Sequence, residues 1–325
     1  MISRFKFLSL VVLSFIYAAA VSGSAYSQTV GFATLPPGAI NNITVNVIAK
    51  VVQKNSGLKL RVIPMRGTQA VQTSVNNGTA AFGISDLSNL TTALKGEDQY
   101  KKRALKNLRV AFKVRTLAVG MFVKKNSKIK SVGDIKGKKY PSQWSAFPNA
   151  IPLSLGIMAT EGLTFKDVVG VPVTNIIRGA DDFKAGKTDI GFFAVGAPKM
   201  AEVNSAVGGI RWLSIEKTPG KLAKMQAVRP DYFIHTVRPN PINAGITGPT
   251  NVLGVDLAIM VGAKVKDEVV SKFVATVLAN KPELIKGHPL FRGFFPKTMA
   301  KQFKFAKYHP GAIKFYKSKG MWSGK

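Results

Sequence analysis

The chain contains no cysteine. Disulfides, thiolate metal sites, a thiol nucleophile and a lipoprotein-type lipid anchor are therefore excluded. An exported protein can do without disulfides if its core is large enough to stand alone. Histidine is scarce: His235, His288 and His309 are the only three, and none is spaced to share a metal with another. Acidic residues number 16 against 47 lysines and arginines. Asp181-Asp182 is the only adjacent aspartate pair. It is expected at a helix start, where negative side chains suit the dipole. No Gly-x-Ser-x-Gly elbow, P-loop or dinucleotide glycine fingerprint occurs. No catalytic residue, metal ligand or cofactor site is assigned, and the chain is not expected to be an enzyme.

What is present begins with a leader. Arg4 and Lys6 precede an almost wholly apolar run from Phe7 to Val21, and a polar, small-residue stretch ends at Ala25-Tyr26-Ser27. This pattern fits a signal peptide over residues 1–27, cleaved near Ser27/Gln28, and so a periplasmic location. The apolar run is short for a spanning helix, which needs about 20 residues.

The net charge is +31, or +29 without Arg4 and Lys6. Such a charge could serve nucleic-acid binding, steer anionic ligands, or reflect a general surface bias. The lysines are scattered (Lys101-Lys102, Lys124-Lys125, Lys136 to Lys139, Lys304 to Lys317). No arginine-rich recognition helix or aromatic RNA-binding signature accompanies them, so no nucleic acid is expected as a partner. A basic polyanion-binding surface protein stays open as an alternative.

At 325 residues, 46% of them hydrophobic, the chain exceeds the size at which one core usually divides, so two lobes are expected. Thr29 to Ala33 reads as a strand. Ile40, Ile43, Val47 and Val51 recur at helical spacing to about Asn55, and Leu58 to Ile63 alternates like a half-buried strand. Arg66-Gly67-Thr68 opens a helix and Thr79 to Ser85 a further strand. Strand–helix–strand–helix–strand is the pattern of a parallel sheet with covering helices. Leu108 to Val123 is strand-rich, and the polar stretch Lys124 to Lys139 reads as the passage between lobes. Ala150 to Glu161 and Ala180 to Lys184 read as helices, Gly170 to Val173 and Asp189 to Val195 as strands. Pro239 to Thr250 returns the chain to the first lobe. Val270, Phe273, Val274, Val277 and Leu278 mark a helix that Asp267 could cap. The expected division is 28–122 with 250–325 as lobe 1, and 123–249 as lobe 2.

Three strand-to-helix turns, Thr34 to Gly38, Arg66 to Thr68 and Ser145 to Ala150, offer unpaired N–H groups and positive dipole ends that can hold a carboxylate. In open α/β sheets such turns lie beyond the carboxyl ends of the strands, where ligands bind. Two lobes facing each other would form a cleft closed by a hinge.

Several segments resemble the TAXI solute receptors of tripartite ATP-independent periplasmic (TRAP) transporters. Phe192-Phe193-Ala194-Val195-Gly196-Ala197-Pro198 is similar to the family's "FF..GAP" segment. His309-Pro310-Gly311-Ala312, with Phe315-Tyr316 and Gly320, is similar to its "HPGA..YY...G" ending. Ile129 to Lys138 looks like the linker opening the second lobe. Gly67-Thr68, Asn76-Asn77-Gly78, Ser85-Asp86 and Ala244-Gly245 fall on weaker family elements.

The resemblance covers nearly the whole chain after the leader. It implies an α/β, type II periplasmic-binding fold, with two lobes, a hinge and an interlobe ligand cleft. It also implies a small organic anion as ligand, glutamate, glutamine or a dicarboxylate in the family, delivered to a TRAP-type membrane permease by a monomeric receptor.

Three departures fall where the ligand should sit. The first turn reads Thr34-Leu35-Pro36-Pro37-Gly38, the family's "GSGT" turn aligns on Phe147-Pro148-Asn149-Ala150, and its "AGTYPG" tyrosine aligns on Thr247. Proline removes N–H donors, so a less polar or larger anion is expected, such as an aryl or branched-chain carboxylate. The expected ligand contacts are Thr34, Leu35, Gly38, Gly67, Thr68, Ser85, Asp86, Trp144, Asn149, Ala150, Ala197 and Thr247. Trp144 or Phe147 could stack on the ligand, although Trp144 also reads as a loop aromatic packed on a lobe surface. At least one of Phe192 and Phe193 should be buried strand, and His309 should pack or cap. The same module could instead present its closed lobes to a membrane signalling protein.

Overall fold

The structure, a computed structural model, describes residues 29–324. The expected leader and its cleavage site lie outside the described residues, Gln28 included.

The first third alternates as anticipated: β1 (Val30–Thr34), α1 (Ile40–Ser56), β2 (Leu60–Pro64), α2 (Thr68–Asn76), β3 (Phe82–Asp86), α3 (Leu87–Lys95). A long strand, β4 (Leu108–Lys124), follows. Then come β5 (Lys139–Ser142), α4 (Ala150–Met158), β6 (Val169–Pro172), α5 (Ile176–Lys184), β7 (Gly191–Ala194), α6 (Pro198–Ala206), β8 (Ile210–Trp212), α7 (Pro219–Val228) and β9 (Phe233–Val237). A second long strand, β10 (Thr250–Gly262), leads to α8 (Asp267–Ala279), α9 (Lys281–Gly287) and α10 (Pro310–Ser318).

The main sheet runs β2-β1-β3-β10-β4-β7, with β9 added on β10 and β8 on β4. β1 is parallel to β2 and β3, as crossover helices require. β4 and β10 lie antiparallel from Leu253 beside Val119 to Gly262 beside Leu108. Different neighbours flank the two ends of this pair. Leu257–Val261 of β10 face β3, whereas Thr250–Gly254 face β9. Val119–Lys124 of β4 face β7 and β8. The polar stretch after Lys124 therefore begins only once β4 has already joined β7 and β8. β5 and β6 form a separate parallel pair.

Two aromatic clusters fill the two ends. Phe82 stacks on Phe273 of α8 at 4.2 Å between ring centroids, and Phe32 meets both edge-on. At the other end Phe122 packs on Phe183 at 4.8 Å and on Trp212 at 5.2 Å. Each buried ring contributes about 1.5–3 kcal/mol relative to exposure. Val270, Phe273, Val274 and Val277 of α8 are buried, the stripe that their spacing prescribes.

Two sequence expectations need correction. Asp267 is the first residue of α8, not its cap. Lys266 holds the cap position without a side-chain bond, and Asp267 acts through the dipole of the first turn. Asp181-Asp182 lie in the last turn of α5, because the helix starts earlier, where the Asn175 side chain accepts from the Arg178 N–H at 3.0 Å. Both are held there by cations: Asp182 by Arg178 at 3.1 Å and Lys187 at 3.2 Å, Asp181 by Lys184 at 3.3 Å and Lys199 at 2.8 Å.

Candidate functional site

β1, β2, β3 and β7 each end at a turn that faces the middle of the molecule, and a buried cavity lies where these turns meet. Its polar wall is Asn41, Thr68, Asp86 and Asn149; Leu35, Leu117, Phe147, Ile176 and Phe192-Phe193 are among its apolar lining. The void is about 30 Å³, room for about two waters at roughly 10–15 Å³ each.

Asp86 dominates the polar wall. It ends β3 in extended conformation and caps α3, accepting from the Asn89 N–H at 2.9 Å. Its other oxygen accepts from the Asn149 amide at 2.8 Å. Burial pushes the Asp86 carboxyl above the usual carboxylate range, against the pull of those two hydrogen bonds. Behind it the Gln72 amide donates to Ser85 Oγ at 2.8 Å, the Ser85 hydroxyl donates to the Asp86 carbonyl at 3.0 Å, and Tyr100 donates to Gln72 Oε1. The wall is thus a fixed polar network.

The opposing turns are in contact. An ideal Cβ on Gly67 would fall 1.7 Å from the Ala146 carbonyl oxygen. The Lys199 N–H donates to the Gly38 carbonyl at 3.2 Å, and Arg229 pairs with Asp98. Gly38 has φ +89°, which a side chain rarely adopts, so glycine there lets the chain turn into α1.

The structure brings Leu35, Thr68, Asp86 and Asn149 of the expected residues onto one wall, with Gly67 beside them. Thr34 and Ser85 are buried at the ends of β1 and β3, and the Thr34 hydroxyl has no partner among the described residues. Gly38, Ala150 and Ala197 sit at helix starts around the cavity but do not line it. The Ala150 N–H is already taken by the Phe147 carbonyl at 3.0 Å. Thr247 is exposed in the loop before β10.

Trp144 is fully buried, packed against Phe192 at 5.8 Å and against Gly179 of α5, and it too lines no part of the cavity. Gln143 and Trp144 both hold positive φ, +64° and +49°, an uncommon conformation for residues other than glycine. Phe192 and Phe193 are both buried. His309 caps α10, its Nδ1 accepting from the Gly311 N–H at 3.1 Å. Sequence reasoning missed Asn41 and Leu117. Asn41 lies one residue past the expected helix start, and an apolar residue inside an apolar strand carries no signal of its own. Among the described residues, no group of three or more histidine, aspartate or glutamate side chains could hold a metal ion.

The comparisons with known proteins agree with this architecture. A structure described as that of a periplasmic transporter is 14% identical, covers 92% of this chain and 95% of its own, and superposes with a TM-score of 0.60. A protein from Bordetella bronchiseptica RB50 is 14% identical over 90% of this chain and 99% of its own, with a TM-score of 0.53. The alkanesulfonate-binding protein SsuA from Xanthomonas axonopodis pv. citri, bound to MOPS, is 15% identical over 91% of this chain and 94% of its own, with a TM-score of 0.51. At such identities the likeness shows the fold, which is the α/β fold of the periplasmic binding proteins. No curated protein matches. The model of the NMT1-like family matches residues 32–320, nearly all that the structure describes, so the chain belongs to the NMT1-like family.

Proposed function

We propose that this protein is an extracytoplasmic receptor that closes two lobes on a small organic anion and delivers it to a membrane permease. We place the lobe division near the expected one, 28–122 with 250–325 and 123–249, but moved inside β4 and β10, because Val119–Phe122 already pair with β7 and Thr250–Gly254 with β9. The observation that carries the reading is the meeting of Gly67-Thr68, Asp86 and Asn149 across one cavity beside these two long strands. A pair of strands shared by both lobes is a natural hinge.

The cavity is far below the roughly 300–1,000 Å³ of small-molecule sites. Solute capture therefore requires the lobes to part and close again. The segments 192–198 and 309–320 favour a TRAP-type permease as the recipient, and the apolar share of the cavity wall favours a carboxylate with an apolar body.

The test is thermal unfolding against amino acids, dicarboxylates, aryl acids and sulfonates at physiological salt. A solute at 100 times its dissociation constant adds about 2.7 kcal/mol, a shift of several degrees. A shift from one structural group of solutes supports a receptor. A flat panel, or small shifts from every anion that vanish with salt, overturns it.

A further inference from the structure

Arg115 sits in the middle of β4, and its guanidinium is only partly satisfied. Nη1 donates to the Thr116 carbonyl at 2.8 Å. Nε and Nη2 are buried with no hydrogen-bond partner among the described residues. These two nitrogens form the side-on edge of the guanidinium, the edge that matches the two oxygens of a carboxylate. Arg115 as a residue is half-buried, but this edge is shielded from water, and a guanidinium edge out of water without a partner is costly.

A pocket of about 260 Å³ lies against it. β4 supplies Lys113 and Arg115, β9 supplies His235, and Arg292 and Phe295 come from the stretch before α10. Gly196 and Asn243 also line it. Among the described residues, no acidic one lines it. Asp256, paired in register with Thr116, is occupied by Lys113 at 3.0 Å and Lys301 at 2.6 Å. Burial lowers the Arg115 pKa to about 10. His235 and His288 are held below the usual histidine range, by burial first and by the Arg115 charge as well. The pocket lining thus combines the cations Lys113, Arg115 and Arg292 with apolar side chains such as Val237 and Leu290. It shares Ile40, at the start of α1, with the cavity beside Asp86.

We infer that Arg115 is the group that reads the solute's charge: its free edge receives the carboxylate or sulfonate head of an organic anion, whose apolar body fills the adjoining pocket. This rests on the receptor reading above. The pocket walls come from both proposed lobes, so closing them without an anion seals an unpaired cation, and closing them on one pairs it. Anion binding and closure are thereby coupled. The polar wall at Asp86 supplies no cation, whereas this pocket does.

The experiment measures binding of benzoate, branched-chain carboxylates, methanesulfonate and inorganic phosphate by calorimetry on the purified protein, wild type against Arg115→Met and Arg115→Lys. Arg109→Gln serves as a control, removing the same charge from the same strand away from the pocket. The expected result is that an organic anion bound by the wild type binds at least tenfold more weakly to Arg115→Met, with partial recovery in Arg115→Lys and full affinity in Arg109→Gln. Arg115→Met should unfold no earlier than the wild type without ligand, since it removes a guanidinium whose shielded edge is unpaired. An organic anion bound equally by wild type and Arg115→Met overturns the assignment to Arg115 and leaves the receptor standing. Binding of phosphate alone overturns the organic-anion site while still showing a receptor. Absence of binding by any solute class, in these titrations and in the thermal panel, overturns the receptor itself.

Discussion

Asn149 donates its side-chain amide to Asp86 at 2.8 Å, across 63 residues of sequence, and both partners are buried. The bond ties the end of β3 to the start of α4. A hydrogen bond to a charged group contributes about 1.5–3 kcal/mol, and leaving the buried acceptor bare costs a similar amount. Asn149→Ala should therefore shift the balance toward parted lobes by about tenfold or more. Small-angle X-ray scattering checks this: the radius of gyration should rise in the variant. An unchanged value would mean that other contacts hold the lobes together.

Asp86 also sets a pH dependence. Burial raises its pKa above the ordinary 3.8. The folded state then holds the proton more tightly than the unfolded chain does. Stability associated with this group is full below the unfolded value and is lost as pH rises through the raised folded value. Asp86→Asn removes that loss. Urea unfolding of both proteins from pH 4 to 7 should show the variant gaining on the wild type as pH rises. A constant difference across the range would contradict the assignment.

Gly67 is extended, with φ −166°, a conformation open to any residue, so a side chain there causes no local strain. What it meets is the Ala146 carbonyl, 1.7 Å from the ideal Cβ. Gly67→Val should fold normally yet be unable to reach the closed arrangement. Its circular dichroism should match the wild type while its scattering profile is the more expanded one and solute affinity falls by about tenfold or more, the effect of roughly 1.4 kcal/mol. Wild-type affinity in this variant would show that closure does not depend on this contact.

Trp144 was a candidate to stack on the ligand. Its place beside Phe192 and Gly179 makes it a packing residue. Trp144→Ala should cost about 3–5 kcal/mol, read as a lower urea midpoint. A loss of solute binding at unchanged midpoint would instead restore the stacking role.

Much of the fold was legible because periodicity reports burial. The α8 stripe and the strand–helix alternation before β4 lie close to where apolar spacing puts them. Helix ends were less legible. α5 starts at Ile176 because of the Asn175 cap, a local signal outweighed in the reading by the conspicuous Asp181-Asp182 pair. Turn chemistry picked out Leu35, Thr68, Asp86 and Asn149, which line one cavity. It could not show that Trp144 is fully buried, nor that Gln143 and Trp144 hold positive φ, which sequence does not announce. Arg115 is one of three basic residues, with Arg109 and Lys113, in the otherwise largely apolar stretch Leu108 to Val123, and apolar spacing does not single it out. The signal lies in the arginine itself, because a guanidinium edge shielded from water demands a partner.

β10 lies between β3 and β4, although it is the last strand to be made. Until residues 250–262 arrive, β3 and β4 present bare edges to each other's missing neighbour, and the aromatic cluster around Phe82 lacks Phe273. A chain delivered amino terminus first, whether from a ribosome or through a pore, therefore cannot complete its first lobe early. Such long-range closure is slow. It leaves an interval in which the polypeptide can still be threaded, and in which its exposed strands need protection from one another.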